Sequence, residues 1–252
     1  MDIDAEEQIE TFIAARGLRP SWSEIESDLR PQTIAEGYRL QSAIHQRIGG
    51  RVGYKVGSTS AAGQRLFGLQ EPVYAGLFAT DRSADLRQAL ARPYRSPSLE
   101  CEIAFVLSRD LDAAHLSRTN VASAIGACHL ACEIIDNRYG DPAAVGVPSL
   151  IADDFFQAGF VLGPANPDWR NQDLHQVRAS MTINGQRFEG AASEGLDAYT
   201  SLTWLVEKRR HLAPGEIVLT GAIVGPVSVA LPAKDVELAI TGFVPMAFPM
   251  PS

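Results

Sequence analysis

Residues 98–107 read SLECEIAFVL, and this stretch decides the character of the fold. It predicts a β-strand because it is rich in Ile, Phe, Val and Leu and lies between a Pro/Ser turn and Ser-Arg-Asp. Side chains two residues apart on a strand leave the same face, so Glu100 and Glu102 share one face with Ala104 and Val106. The alternate residues form the other face: Cys101, Ile103, Phe105 and Leu107.

The glutamate pair permits two interpretations. Neighbouring carboxylates repel each other, and burying them without a partner is costly, a conflict that a divalent cation would resolve. Alternatively, the strand lies at the edge of a sheet and both glutamates are solvated. Because glutamate is otherwise depleted in strands, the strand alone supports the metal interpretation and the solvated interpretation about equally.

The composition limits the class of protein. A chain of 252 residues forms one large domain, or one domain with a small appendage. Its hydrophobic content of 46% and charged content of 21% are ordinary for a globular protein. A formal net charge of −8 argues against a nucleic-acid-binding surface and gives no support to an anionic-membrane surface. An anionic substrate therefore has to be attracted by local cations.

The cysteines and the N-terminal sequence indicate the cellular compartment of the protein. Cys128 and Cys132 lie four residues apart, where they either share a metal or, as free cysteines usually do, serve as small buried apolar residues; we favour the second. With Cys101 they form no CxxC pair, which fits a reducing compartment. The acidic N-terminus lacks the apolar region of a signal peptide, and no apolar stretch approaches the roughly 18 residues of a membrane span. We expect a cytoplasmic protein that does not act at a membrane.

Residues 1–50 predict a small helical cap. Ile9, Phe12 and Ile13 form one short apolar stripe, and a second stripe stops at Gly49-Gly50. A loop with two prolines, residues 19–32, lies between the two stripes.

Residues 51–252 predict a catalytic domain of mixed β-structure. Short β-rich runs alternate with turns, and a helix is predicted from about Thr119 to Ile135, followed by further strands and a helix over Ala198–Lys208. Asn184-Gly185 indicates a tight turn between two of these strands. This order argues for an α+β domain around a folded sheet and against a regular βαβ series. The chain contains no glycine-rich nucleotide-binding motif.

A second acidic cluster follows at the predicted helix end. Glu133 and Asp136 are three residues apart and share a helical face, close to a C-terminus where the helix dipole disfavours acids. Either Arg138 or a metal compensates for their charge. Glu100, Glu102 and Glu133 together would make an all-oxygen site suited to Mg²⁺ or Mn²⁺. Zinc is disfavoured because the five histidines are scattered.

Lys55 lies in the run GYKVGSTS. Its apolar neighbours and the Gly/Ser/Thr loop after it indicate a side chain that points into a pocket, where it pairs with an anionic substrate or donates a proton. The alternative is an edge-strand lysine that points into water, and for this run alone that alternative is favoured.

Together these segments resemble the fumarylacetoacetate hydrolase superfamily, and more narrowly its 2-keto-4-pentenoate hydratase / 4-oxalocrotonate decarboxylase branch. The matching motifs are GYKVGSTS, EPVYAGLF, LECEIAFVL, CEIIDNRY, IADD before FVLG, and EIVLTGAI; they occur in family order over residues 51–225. The resemblance implies an α+β fold with a mixed folded sheet, the β-roll of the family's C-terminal domain, behind a small helical cap. It also implies a homo-oligomer.

The resemblance assigns roles to single residues. It implies Mg²⁺ or Mn²⁺ held by Glu100, Glu102 and Glu133, with Lys55 facing a small anionic 2-keto acid. Further implied substrate contacts are Ser58, Ser60, Leu77, Asp136, Phe156 and Thr220. The implied reaction is hydration of a 2-hydroxydienoate from the meta-cleavage of aromatic compounds. Decarboxylation of a 4-oxalocrotonate-like acid, hydrolysis of an acylpyruvate and binding of a 2-keto acid without turnover stay open as alternatives.

Several positions depart from the family pattern. Val73 stands where many relatives carry an acid, and Phe155 and Phe156 replace the small residues of the family's ADNAS segment. Val73 argues against a conventional acid/base partner at that position, and the two phenylalanines predict a narrower or more apolar pocket. The only histidine before Arg51 is His45, which disfavours the hydrolytic alternative because hydrolytic relatives use a His/Glu pair.

Overall fold

The computed structural model describes residues 5–17 and 25–249. The outermost residues of the predicted cap and tail, residue 18, and residues 19–24 of the predicted loop lie outside this range. The α-helices are α1 (Ala5–Arg16), α2 (Ile34–Ile48), α3 (Ala61–Phe67), α4 (Leu86–Leu90), α5 (Arg118–Ala124), α6 (Pro142–Val145), α7 (Val147–Ala152) and α8 (Ala198–Arg209). The strands are β1 (Arg51–Gly57), β2 (Val73–Phe78), β3 (Arg82–Ser83), β4 (Pro97–Leu107), β5 (Leu111–Asp112), β6 (Ile125–Asp136), β7 (Gln157–Ala165), β8 (Arg178–Ile183), β9 (Gln186–Ala191), β10 (His211–Leu212), β11 (Ile217–Ser228), β12 (Asp235–Ile240) and β13 (Met246–Pro249).

A curled mixed sheet of seven strands forms the body of the protein, in the order β2-β1-β11-β4-β6-β7-β3. The pairs β1–β11 and β3–β7 are parallel, and the other pairs are antiparallel. A four-stranded antiparallel sheet, β13-β12-β8-β9, packs beside it. The predicted α+β class with a folded mixed sheet is confirmed.

Strand β4 shows the alternation that its sequence predicts. Cys101, Ile103 and Phe105 belong to the main core, which the strand shares with β8, β12 and α8. Ala104 lies on the opposite face in a small cluster with Leu77, Leu219 and others. Each large apolar side chain buried in this way stabilises the fold by roughly 1.5–3 kcal/mol relative to exposure. The glutamates therefore lie on the face of the small cluster.

The predicted helix from Thr119 to Ile135 is wrong over most of its length. Helix α5 ends at Ala124, and β6 follows at once as a central strand between β4 and β7. Most of β6 is buried on both faces, so its sequence lacks the alternation that marks a half-exposed strand. Val121 and Ala124 are the buried residues of α5, whereas Cys128 and Cys132, which continue the same helical spacing, lie on β6.

The helices before β1 pack with α7 against the edge strand β2. Phe12, Ile44, Ile151 and Val73 meet in one buried cluster. Helix α2 begins at a capping box formed by Thr33, whose side chain accepts from the third helical residue. The division into a cap of residues 1–50 and a domain of residues 51–252 stays a prediction.

The second sheet contains the predicted turn. Asn184 and Gly185 have φ of 50° and 79°, the conformation that Asn-Gly favours between two antiparallel strands, here β8 and β9. None of the helices in residues 5–17 and 25–249 is long and apolar enough to cross a membrane.

Candidate metal centre

Two neighbouring strands bring three glutamates together. Glu100 on β4 lies directly opposite Glu133 on β6, and Glu102 follows two residues further along β4 on the same face. Carboxylate oxygens of the three, one from each, lie within 4.8 Å of one another. Glu133 therefore joins the cluster from a strand, and the helical reasoning that paired it with Asp136 is wrong.

These carboxyl groups are difficult to ionise together. Glu102 and Glu133 are each 1% exposed, and Glu100 is partly buried. Burial, reinforced by the charge of Glu133, raises the pKa of Glu100 to about 7. The same causes raise the pKa of Glu102 well above its usual range, and burial raises that of Glu133. Burial therefore favours the protonated forms of these groups unless cations lie close by.

Lys55 supplies one compensating charge. Its Nζ lies 2.6 Å from Oε1 of Glu133 and donates a 2.8 Å hydrogen bond to the carbonyl oxygen of Phe155. The side chain is buried and leaves the same face of the sheet as the glutamates, because β1 runs beside β11 with Lys55 level with Leu219. The edge-strand interpretation of Lys55 as a residue pointing into water is therefore wrong. Lys55 lowers the pKa of all three glutamates against the effect of burial.

Strand β11 closes the site from the other side. The backbone N–H of Gly221 donates a 2.9 Å hydrogen bond to Oε2 of Glu102, at a point where the pairing of β11 with β4 is irregular. Gly221 has φ of 106°, and a Cβ there would lie 2.5 Å from the side chain of Thr59. Glycine is required at this position, both for the backbone conformation and for the close approach.

The donor set fits a hard divalent cation. It consists of carboxylate oxygens, which suit Mg²⁺ or Mn²⁺ and not zinc. Within the described residues, Oε1 of Glu133 is buried and has an ion pair but no hydrogen bond of ordinary geometry. One positive charge from Lys55 faces three carboxyl groups, so a divalent ion would complete the neutralisation.

Four of the predicted substrate contacts lie on β2, on β11 or just after β1. Leu77 is fully buried in the small apolar cluster on the face of Lys55. The hydroxyl of Thr220 donates to the carbonyl of Ile103, and Ser60 caps α3. Ser58 is half-buried with φ of 53°. Their contact with a substrate stays a prediction.

The other two predicted contacts have structural partners. Asp136 is three residues from Glu133, so its side chain leaves the opposite face of β6, where the backbone N–H groups of Arg95 and Ser96 donate to it. Phe156 packs among aromatic rings and its carbonyl accepts from the backbone of Asp136. These contacts do not by themselves support a role in substrate binding for either residue.

An apolar wall stands beside Lys55. A Cβ on Gly57 would lie 3.3 Å from the ring of Phe155 and 3.4 Å from a methyl group of Val73. Gly57 is two residues from Lys55, so Phe155 and Val73, which form this wall, lie on the same face of the sheet as Lys55. Phe67 extends it, with its ring centroid 5.0 Å from that of Phe155. The departures at residues 73 and 155 thus lie on the face of Lys55, and a narrower or more apolar pocket there stays a prediction.

The sequence reasoning missed a buried polar network behind this wall. Asp154 pairs with Arg16 and with His45, and Asp153 pairs with Arg16 and Arg138. The one sequence feature that pointed to this network was the pair of consecutive acids, Asp153 and Asp154, before the two phenylalanines.

Comparisons with known proteins identify similar chains. The family model of the fumarylacetoacetate (FAA) hydrolase C-terminal domain matches residues 71–250. A 2-keto-4-pentenoate hydratase of Paraburkholderia xenovorans is 30% identical over 220 residues, which are 83% of this chain and 81% of the relative. A 4-oxalocrotonate decarboxylase of Pseudomonas sp. (strain CF600) is 27% identical over 228 residues, 86% of each chain.

Solved structures share the fold. The 4-oxalocrotonate decarboxylase of Pseudomonas putida G7, complexed with calcium and acetate, superposes with a TM-score of 0.80 at 24% identity, covering 96% of this chain and 95% of that one. Its complex with magnesium and adipate gives a TM-score of 0.77, at 24% identity, over 96% and 97% of the two chains.

Proposed function

The chain belongs to the fumarylacetoacetate hydrolase family, and from that membership we propose that it is a metal-dependent hydratase. Its substrate is a 2-hydroxydienoate, or the 2-keto tautomer, of the type formed by meta-cleavage of aromatic compounds. The observation that supports this most directly is the placement of Glu100, Glu102 and Glu133 around Lys55 on one face of the sheet.

The three glutamates would hold Mg²⁺ or Mn²⁺. When bound, the ion supplies Lewis-acid polarisation of the carboxylate and 2-oxygen of a 2-keto acid. Glu100 is the most exposed of the three, so we propose that a substrate enters on its side.

The chain's own residues bind and orient the substrate. The ammonium of Lys55 is buried beside the carboxylate cluster. Together with a divalent ion on the three glutamates it would attract the acidic head of a small anionic substrate against the net charge of −8. It also holds a proton at Nζ, close to where the oxygen of an enol or keto group would lie. The wall formed by Val73 and Phe155 excludes water from one side of this position.

Hydration is favoured over decarboxylation by the charges around the site. A 4-oxalocrotonate-like substrate carries a second carboxylate at its far end, which requires a second cation when desolvated. Among the residues that the structure describes, Lys55 is the cation that lowers the pKa of all three glutamates. Arg16 and Arg138 are already paired with Asp153 and Asp154. The apolar wall instead suits an uncharged tail.

Hydrolysis of an acylpyruvate has less support. A Cβ on Gly76 would lie 2.6 Å from the ring of His45, and the neighbouring residues Ala75 and Leu77 leave the other face, which is that of Lys55. His45 therefore lies across β2 from the glutamates and does not form a His/Glu pair with them.

The experiment compares two substrates in the presence of Mg²⁺. We expect the purified protein to hydrate 2-keto-4-pentenoate, supplied as the dienol, at about 1 per second or faster. The loss of dienol absorbance measures the rate. We expect chelation by EDTA to abolish this activity. Release of CO₂ from 4-oxalocrotonate at a greater kcat/KM would establish the decarboxylase instead, and tight binding of either acid without turnover would establish a binding protein.

Three wider properties belong to the same proposal. We propose a homo-oligomer, supported by exposed large apolar side chains such as Leu66 and Val244, 77% and 56% exposed. Light scattering of the purified protein tests the oligomeric state, and a monomer at micromolar concentration would contradict it.

We also propose a cytoplasmic location, which the three free cysteines support. In addition, we propose that residues 51–252 form a catalytic domain and that residues 1–50 form a cap. Fractionation of the native host and expression of residues 51–252 alone test these two.

A further inference from the structure

The turn after α7 has a rare backbone conformation. Asp154, Phe155 and Phe156 have φ of 57°, 46° and 69°, in the left-handed region that residues other than glycine seldom occupy. Three such residues in succession persist only where the surroundings fix them. The turn matters to the site because its central carbonyl, that of Phe155, accepts the hydrogen bond from Lys55.

The side chain of Asp154 fixes the turn to three other elements. Its Oδ1 accepts a 2.7 Å hydrogen bond from the backbone of Gly76 and one of 2.8 Å from Nε2 of His45. Its Oδ2 accepts a 2.5 Å hydrogen bond from Arg16. Strand β2, helix α2 and helix α1 thus meet at a single carboxylate that is 1% exposed.

The charges favour this arrangement. Burial opposes the ionisation of Asp154, but Arg16 and His45 outweigh it and hold its pKa below the usual range. Arg16 also lies 3.0 Å from Asp153, whose other oxygen pairs with Arg138. The residue before the turn, Asp153, is therefore also fixed by ion pairs.

We propose that Arg16, His45 and Asp154 are positioning residues that hold the Phe155 carbonyl on Lys55 and so keep its ammonium against Glu133. None of the three is needed to touch the substrate: His45 lies across β2 from Lys55, and Asp154 acts through the backbone of the residue that follows it. This assignment rests on the proposed function of Lys55 in hydration. It gives the helices before β1 a part in the reaction, because Arg16 and His45 are on α1 and α2.

The test uses substitutions at His45 with a control on the same helix. His45→Ala removes one hydrogen bond to Asp154, and alanine is well tolerated in a helix. His45→Gln keeps an N–H donor at the end of the side chain. Arg47→Ala removes the exposed pairs with Glu6 and Glu10, which also join α2 to α1 but do not reach Asp154. Asp154→Asn is the more severe variant of the network.

We expect His45→Ala and Asp154→Asn to lower kcat by about 10-fold or more, with a smaller change in KM, because losses of this size follow the removal of a group that orients a functional residue. His45→Gln should recover most of the kcat lost in His45→Ala, and Arg47→Ala should keep the wild-type value. Amide hydrogen exchange in the peptide covering residues 150–157 should quicken in His45→Ala and not in Arg47→Ala.

Several results would overturn the proposal. A folded His45→Ala protein with wild-type kcat and unchanged exchange would do so, and so would an equal loss of kcat in Arg47→Ala or a failure of His45→Gln to recover activity. If Asp154→Asn does not fold, the three His45 and Arg47 variants decide the matter. A wild-type protein that hydrates no dienoate would contradict the proposed function instead, and the exchange measurements would still decide whether His45 fixes the turn.

Discussion

The Nζ of Lys55 lies 2.6 Å from Oε1 of Glu133, although the two residues are on strands separated by β11 and β4 in the sheet. The curl of the sheet makes this contact possible. Glu133 lies opposite Glu100 and also pairs with Lys55, so it belongs to the acidic cluster and contacts the residue that we propose binds the anionic head group. Changes at Glu133 should therefore affect metal binding and catalysis together.

Removing one carboxylate should weaken metal binding. We expect Glu102→Gln and Glu133→Gln each to reduce Mn²⁺ affinity beyond the roughly 10–100-fold loss that follows removal of an outer partner of a metal ligand. Calorimetric titration with Mn²⁺ measures this. Glu237→Gln is the matched control, because Glu237 is an exposed glutamate on a strand of the other sheet. Unchanged affinity in both variants would refute the assignment of the glutamates as ligands.

Stability of the metal-free protein should fall as the pH rises. A carboxyl group whose pKa is raised by folding stabilises the fold below its unfolded pKa, and this contribution is lost as the pH rises through the folded value. For Glu100 that window runs from the ordinary 4.5 to about 7, and Glu102 extends it upward. Mg²⁺ requires the ionised forms, so the Tm increase that it produces should be larger at pH 8 than at pH 5.

Thermal melts at several pH values, with Mg²⁺ and with EDTA, measure this effect. The variant Glu100→Gln cannot ionise at this position, and its metal-free Tm should depend less on pH across the same window. A Tm increase from Mg²⁺ that is equal at pH 5 and pH 8 would show that protons and the metal do not compete for these groups.

Lys55→Met should separate catalysis from metal binding. Methionine fills a similar volume without the charge, so we expect kcat/KM to fall by about 10²–10⁴-fold, the usual contribution of a proton-transfer group. Mn²⁺ affinity should stay equal or rise, because a competing cation leaves the cluster. Steady-state kinetics and Mn²⁺ titration measure the two effects, with Lys234→Met in an exposed loop as the control. A variant that keeps full activity would remove Lys55 from the mechanism.

The sequence predicted the acidic strand well because its signal is local. Alternation along β4 and the proximity of Glu100 to Glu102 depend only on the geometry of one strand. Glu133 was reached through its carboxylate and the order of family motifs, and it was placed on the wrong type of element. The reason is physical: a strand buried on both faces, as β6 is, shows no alternation that would distinguish it from a buried helix.

The network behind Lys55 could not be predicted in the same way. Its contacts join Asp154 to His45 and to Arg16 across 109 and 138 residues of sequence, and no periodicity links such distant positions. The left-handed turn was equally hidden, because two phenylalanines are among the residues least expected to adopt positive φ. The sequence showed that the family pattern changes at Phe155, and only the fold shows that its carbonyl meets Lys55.

The three cysteines should be unreactive in the folded protein. Cys101 and Cys132 lie opposite each other on β4 and β6, and Cys128 lies four residues before Cys132 on β6. All three cysteines are fully buried and free. Burial raises the pKa of Cys128 to about 12 and that of Cys132 well above its usual range, so little thiolate forms near pH 8. Ellman's reagent should therefore modify none of the three thiols in the native protein and all of them in guanidinium chloride. Ser123→Cys, exposed on α5, supplies a thiol that should react at once and shows that the reagent is active. Native modification of Cys101 or Cys132 would mean that β4 and β6 separate on the timescale of the assay, and the glutamates that these two strands carry would then not form a fixed site.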